Sequence, residues 1–364
     1  MNMKKRIFEA IRIIVSVTAF ACLIFISTVF CTELLREKRG DVLDFGEYKA
    51  EHEDSIDVLF LGSSHVFMDI LPVTIWEKGG ITSYNITSSA QVPAISYYYL
   101  EEALKTQSPK VVAFDVYMID SQYPDEWRAR LAMGAMPWSL TKVKAIKNAI
   151  PEDFQQLCRN ELFGYHNNWS HLKEYDYKYA LTKLFHADKV SFLKGSEVYL
   201  VKVSNTNQSW YYQPVYEMPN EEIYAYNLEY IKKIAQTVED AGAELLLLST
   251  PCPDAGRMEY YLERVAEDLE AAGFSGFAVY DMNDDRNKMQ FDYSKDMTDG
   301  VHCNTTGADK VSCQIAKYLN EHYEFPDRRS DAVLAEMWDA LVPRLAEYVD
   351  NGVYRPWTQG AVVQ

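Results

Sequence analysis

The chain has 364 residues, a formal net charge of −17 and 48% hydrophobic residues. That is enough for one large domain with a substantial core, or for a core carrying an insertion. Its Lys and Arg are scattered rather than clustered, which argues against nucleic acid as a partner.

In chain order, Lys4, Lys5, Arg6 and Arg12 lead into an uncharged apolar run, Ile13 to Thr32. About 20 such residues cross a ~30 Å hydrocarbon core as a helix. A cleaved signal peptide has a shorter apolar region and a small-x-small exit, and neither is present. Nor is Cys22 a lipoprotein site, because Ala19 stands where a branched residue is expected. The basic tail predicts a single uncleaved anchor. Residues 1–12 are then cytoplasmic, 13–32 transmembrane, and the remainder extracytoplasmic. Residues 33–55 are polar and charged and read as a stalk.

Val58-Leu59-Phe60-Leu61 predicts a strand buried on both faces, halted at Gly62. Ser63 and Ser64 sit at the turn, at the strand end where open α/β sheets place ligands. Two readings stand: an ordinary strand-to-helix turn with a serine N-cap, or a nucleophile beside the first free N–H groups of a helix. A helix over Pro72–Lys78, a strand over Thr82–Ile86, a helix over Pro93–Lys105 and a strand over Val111–Phe114 follow. The pattern is β-α-β-α-β with connections suited to a parallel sheet. From about Tyr123 to Met218 the alternation stops. This aromatic segment, with Phe163–Trp169 and Trp210-Tyr211-Tyr212, reads as a partly helical insertion over the mouth of the sheet. It is a substrate lid, a partner-docking surface or a packed accessory subdomain. Asn220 then caps a helix to Asp240, before a strand over Glu244–Ser249, a helix over Ala255–Ala272 and a strand over Phe277–Asp281. Thr306 and Asp309 form a capping-box-like start for a helix to Asn320. Residues 326–364 read as an appended helical tail. The expected fold is a flavodoxin-like three-layer α/β/α domain over residues 56–325, with a five-stranded parallel sheet.

The six cysteines show no metal-ligand spacing. A helical segment between Cys303 and Cys313 spans ~15 Å, too far for a disulfide, which needs Cα atoms within ~7 Å. The acidic run from Asp281 to Asp292 lacks the sixth-position glycine and terminal Glu of a calcium loop, and reads as solvated.

The other half of a reactive site lies far downstream, in Asp296-Met297-Thr298-Asp299-Gly300-Val301-His302. A serine nucleophile needs a base, and a histidine base needs a carboxylate to fix its tautomer. Asp299 and His302, three apart in one loop, suit those roles, with Asp296 as a second candidate acid. Gly62-Ser63-Ser64 with the distal Asp-x-x-His resembles the SGNH/GDSL hydrolase superfamily. The resemblance implies Ser64 as nucleophile, His302 as base and Asp299 as its orienting acid. It needs no cofactor. An α/β-hydrolase would want Gly-x-Ser-x-Gly, and Val66 occupies the last position. Ser63, His65, Asn85, Thr87 and Gln91 are expected around the oxyanion or substrate. Thr87 or Ala90 stands where the family's second block has glycine, and Asp115-Val116-Tyr117 replaces its Gly-x-Asn-Asp. These departures resemble membrane-anchored members, the D-alanyl-lipoteichoic acid transfer and alginate O-acetyltransferase-like proteins. They imply acyl transfer to an envelope polysaccharide or teichoic acid, with a multi-span membrane-bound O-acyltransferase as partner. A stand-alone carbohydrate esterase and a non-catalytic assembly subunit of the same fold remain as alternatives.

Overall fold

The computed structural model describes residues 3–36, 45–122, 125–185, 190–198 and 220–350. Helix α1 (Met3–Leu35) and the short α2 (Phe45–Lys49) precede strand β1 (Val58–Gly62). Helices α3 (Ser64–Asp69) and α4 (Pro72–Gly79), strand β2 (Ser83–Thr87), helix α5 (Pro93–Ala103) and strand β3 (Val111–Asp115) follow. A helical stretch then comprises α6 (Glu126–Ala135), α7 (Leu140–Ala149), α8 (Glu152–Arg159), α9 (Glu161–Gly164) and α10 (Glu174–Phe185). The α/β rhythm returns with α11 (Glu221–Asp240), β4 (Glu244–Ser249), α12 (Ala255–Ala271) and β5 (Phe277–Asp281). It closes with α13 (Tyr293–Asp296), α14 (Thr305–His322), α15 (Ala332–Asp339) and α16 (Leu341–Asp350).

The five strands form one sheet in the order β2-β1-β3-β4-β5, and every pairing is parallel. This is the expected flavodoxin-like order. β1, β2 and β3 are buried along their whole length, as a parallel sheet covered on both faces requires. α4 packs on α14, and α5 packs on α11. Gly62 ends β1 for a steric reason: a Cβ there would lie 2.5 Å from Val66 Cγ2 and 2.9 Å from Asp115 Cβ. Only glycine lets α3 turn so tightly off the sheet.

The chain forms two compact units: Met1–Glu37 with Gln156–Asp188, and Lys38–Gln155 with Lys189–Gln364. In the first, α1 is long and apolar enough to cross a membrane, with a 31-residue candidate span, Lys5–Leu35. At 1.5 Å per residue it is about 46 Å long. Its C-terminal end is held by Arg36, which pairs with Glu161 at 2.8 Å, and by Asn168 Nδ2, which donates to the Leu35 carbonyl at 2.9 Å.

Four features of the sheet unit differ from the sequence-based expectation. Of the stretch expected as a stalk, Phe45, Tyr48, Glu51 and Ser55 are buried in the sheet unit. Phe45 and Tyr48 are buried and meet Tyr99 and Tyr84 edge-on. The segment expected to form one insertion is divided between the two units. Its 190–198 portion lies against β2, where the Lys194 carbonyl accepts from Asn85 N at 3.0 Å, and its Trp210-Tyr211-Tyr212 run lies outside the described residues. The N-cap of α14 is Asn304, whose Oδ1 accepts from Thr306 and Gly307 N–H, not Thr306. The tail up to Asp350 is not merely appended. Arg328 forks onto buried Asp57 at 2.8–3.1 Å, and Trp338 packs on Trp76 with ring centroids 5.6 Å apart.

Candidate active site

The first residue of α3 and a loop before α14 converge at the C-terminal end of β1. Ser64 Oγ lies 2.7 Å from His302 Nε2, joining positions 238 residues apart. His302 Nδ1 lies 2.8 Å from Asp299 Oδ2. A carboxylate only accepts, so Nδ1 carries the hydrogen and the Nε2 lone pair faces the serine hydroxyl. The carboxylate that faces His302 is therefore Asp299, not Asp296. Asp296 is buried elsewhere, pairing with Lys310 at 2.7 Å and accepting from Asp292 N.

The Asp-x-x-His spacing works through the backbone. Thr298 N donates to the His302 carbonyl at 2.8 Å, and Met297 bridges Cys303 in antiparallel fashion. The chain thus doubles back, with Asp299-Gly300-Val301 at its tip. Asp299 Oδ1 accepts from both Val301 and His302 N–H at 2.8 Å, an Asx-type turn that leaves Oδ2 for the ring. Gly307 lets α14 begin close by: a Cβ there would lie 2.1 Å from the Asp296 carbonyl oxygen.

The electrostatics fit proton transfer. Burial pushes Asp299 up, but hydrogen bonds from His302 and the loop amides, with the His302 charge, bring it down to about 2. Burial lowers His302, yet its bond to Asp299 and the charges of Asp69 and Asp299 outweigh this and leave it raised. Histidine is thereby a stronger base than in water, beside an acid that stays ionised.

The remaining expected positions separate into two groups. Ser63 Oγ, His65 Nε2 and Thr87 Oγ1 are buried without a hydrogen-bond partner, immediately around the nucleophile turn. Thr87 pairs in register with Gly62. Asn85 and Gln91 have structural occupations. Asn85 Nδ2 donates to the Val66 and Ile70 carbonyls, tying β2 to α3. Gln91 Nε2 donates to the Ile86 carbonyl and Ser96 Oγ, and its Oε1 accepts from Ser88.

Beneath Ser64 and His302 lies a buried polar layer, in which sequence reasoning names His65 but misses Asp69 and Thr250. Asp69 is fully buried, and its Oδ1 accepts from Cys303 N while its Oδ2 accepts from Thr250 Oγ1, both at 2.8 Å. His65 Nδ1 is 3.7 Å from Asp69 Oδ2, and its ring stacks on Tyr117 at 3.6 Å. Arg257 lies over the same tyrosine and forks onto Asp120. Burial lowers His65, aided by the His302 charge, so it is neutral. Burial raises Asp69 to about 6 against its hydrogen bonds, and Asp115 to about 7. Asp69 had one sequence signal: a lone carboxylate within the apolar run Val66-Phe67-Met68-Asp69-Ile70-Leu71. Among the described residues no cluster of His, Cys, Asp and Glu is arranged to hold a metal ion.

No protein-family model matches the chain, and no curated protein matches it.

Proposed function

We propose that the protein is a serine-dependent acyltransferase of the SGNH type, anchored by α1 with its sheet domain outside the membrane. The observation that carries this reading is the continuous relay Ser64 Oγ–His302 Nε2 (2.7 Å) and His302 Nδ1–Asp299 Oδ2 (2.8 Å). Its mirror in sequence is the Gly62-Ser63-Ser64 turn with distal Asp-x-x-His. In the first half-reaction, Ser64 Oγ attacks the acyl carbonyl and passes its proton to His302 Nε2. Asp299 stabilises the imidazolium. The Ser64 backbone N–H, first in its helix and without an intrahelical acceptor, is the donor on offer to the developing oxyanion. The C–O bond to the donor then breaks, and the leaving alkoxide takes the proton from His302. In the second half, an acceptor hydroxyl gives its proton to His302 and attacks the acyl-serine; the ester bond to Ser64 breaks and Ser64 Oγ takes the proton back from His302. An O-acetyl or D-alanyl group thus moves to an envelope polysaccharide or teichoic acid hydroxyl. A multi-span O-acyltransferase would deliver the acyl group across the bilayer, because cytosolic donors do not reach an outside site.

Hydrolysis is the second reading. Asp299 is half exposed, so water reaches the edge of the triad.

The test is intact mass of the detergent-solubilised full chain after exposure to a fluorophosphonate, beside Ser64→Ala and His302→Ala. One adduct on the wild type, lost in both variants, is expected. A folded wild type without an adduct would sink the reading in favour of a non-catalytic assembly subunit. Adding acceptor glycans to acyl-labelled protein then separates transfer from hydrolysis.

A further inference from the structure

We propose that Asp69 is a positioning residue of this site: from the last turn of the helix that begins with Ser64, its carboxylate clamps the loop bearing His302 and supports the charge that forms on that ring. This rests on the acyl-transfer reading above.

The geometry is a closed bracket. α3 runs only from Ser64 to Asp69, so nucleophile and carboxylate belong to one short rigid element. Asp69 Oδ1 accepts the backbone N–H of Cys303, the residue after the base, at 2.8 Å. The distance from Ser64 to His302 is therefore fixed from below as well as across the reacting atoms. Thr250, just past β4, orients the carboxylate through its second oxygen at 2.8 Å. The site is dry: Asp69, His65, Thr250 and Cys303 are each no more than 1% exposed. A charge held there acts through a low effective dielectric and is felt strongly by its neighbours.

The groups that face Asp69 can be enumerated. His65 comes from its own helix and is neutral. His302 and Cys303 come from the base loop. Asp115, at the end of β3, is a second buried carboxyl, which burial and Asp69 push up to about 7. Arg257 of α12 acts on His65 and Asp115. On the His302 side, Asp69 and Asp299 both favour the protonated ring. Asp299 is half exposed and Asp69 is fully buried, so the second carboxylate is the one that solvent screens least.

Asp69→Asn separates charge from shape. The amide oxygen still accepts from Cys303 N, and the amide nitrogen donates to Thr250 Oγ1 in place of the reverse bond. Asp69→Ala removes both. The experiment titrates ¹⁵N-histidine-labelled full chain in detergent by NMR, with His302 assigned through His302→Gln. The rate of Ser64 phosphonylation is followed against pH in parallel. In Asp69→Asn the His302 pKa is expected to fall by about 1 unit. The acid limb of the phosphonylation rate should move down with it. Asp69→Ala is expected to slow phosphonylation at least ~10-fold even above that limb, because the base loop loses its tether. An unmoved His302 pKa in a folded Asp69→Asn protein overturns the proposal, and so does an Asp69→Ala rate equal to wild type at every pH. The histidine titration needs no turnover. If the wild type shows no Ser64-dependent adduct, the acyl-transfer reading fails while the titration still decides whether Asp69 acts on His302.

Discussion

The two halves of the candidate site are built in opposite ways. The nucleophile turn is cut from the core: Val58 to Leu61 are fully buried, Gly62 admits no side chain, and Asn85 ties the following helix to β2. The base sits on a surface loop whose tip residues, Gly300 and Val301, are exposed. That loop keeps its shape through a few local bonds and the one from buried Asp69. The contrast teaches how two distant side chains can be held 2.7 Å apart with only one of them on a rigid element. The other can ride on a loop, provided its last contact reaches back to the rigid side.

The largest break in this comparison should come from Gly62→Ala. With Val66 Cγ2 at 2.5 Å and Asp115 Cβ at 2.9 Å, the new methyl forces α3 off the sheet. Overpacking of this kind costs about 1–3 kcal/mol. Thermal unfolding should show a clearly lower Tm, and Ser64 should lose its fluorophosphonate adduct.

Asp299→Asn attacks the loop half. The ring loses its fixed tautomer, so phosphonylation should slow by about 10²–10⁴-fold. The Tm should hardly move, since Asp299 is half exposed. A proportionate loss of stability would mean that the loop is scaffold rather than chemistry.

The pH profile sharpens the same point. His302 is raised above its ordinary 6.5, so the neutral base is lost as pH falls through that higher value. The phosphonylation rate should therefore rise with pH through a single limb above 6.5, and Asp299→Asn should move that limb downward. A limb below 6.5 in the wild type would contradict the paired carboxylates.

The smallest effect is the control. A Cβ on Gly300 meets nothing within 4 Å, so Gly300→Ala should leave Tm and labelling rate close to wild type, within ~0.5 kcal/mol. A large loss there would show that the tip moves during reaction.

The strands were legible because buried parallel strands are written as unbroken apolar runs, and Leu245–Leu248 or Val111–Phe114 admit little else. The pairing of Ser64 with His302 was legible only through a motif, since nothing local to either stretch encodes the other. Asp69 was hidden because a lone carboxylate in an apolar helix looks like a solvated position until its partners, Cys303 N and Thr250, are brought in by the fold. The tail misled for a similar reason. Nothing local to Arg328 or Trp338 points to their partners, Asp57 and Trp76, which lie more than 200 residues upstream.

Lys194 places one more demand on the chain. Its ammonium is buried, 2.7 Å from Glu51 and 4.6 Å above the ring of Trp338. The cage therefore draws on residues near the start, the middle and the end of the polypeptide. During synthesis a chain that has reached β5 already has its whole sheet, yet still holds a cation whose lid has not been made. Trp338 is the last residue of this cage in chain order, so a product ending before it would leave the Lys194–Glu51 pair without that aromatic cover.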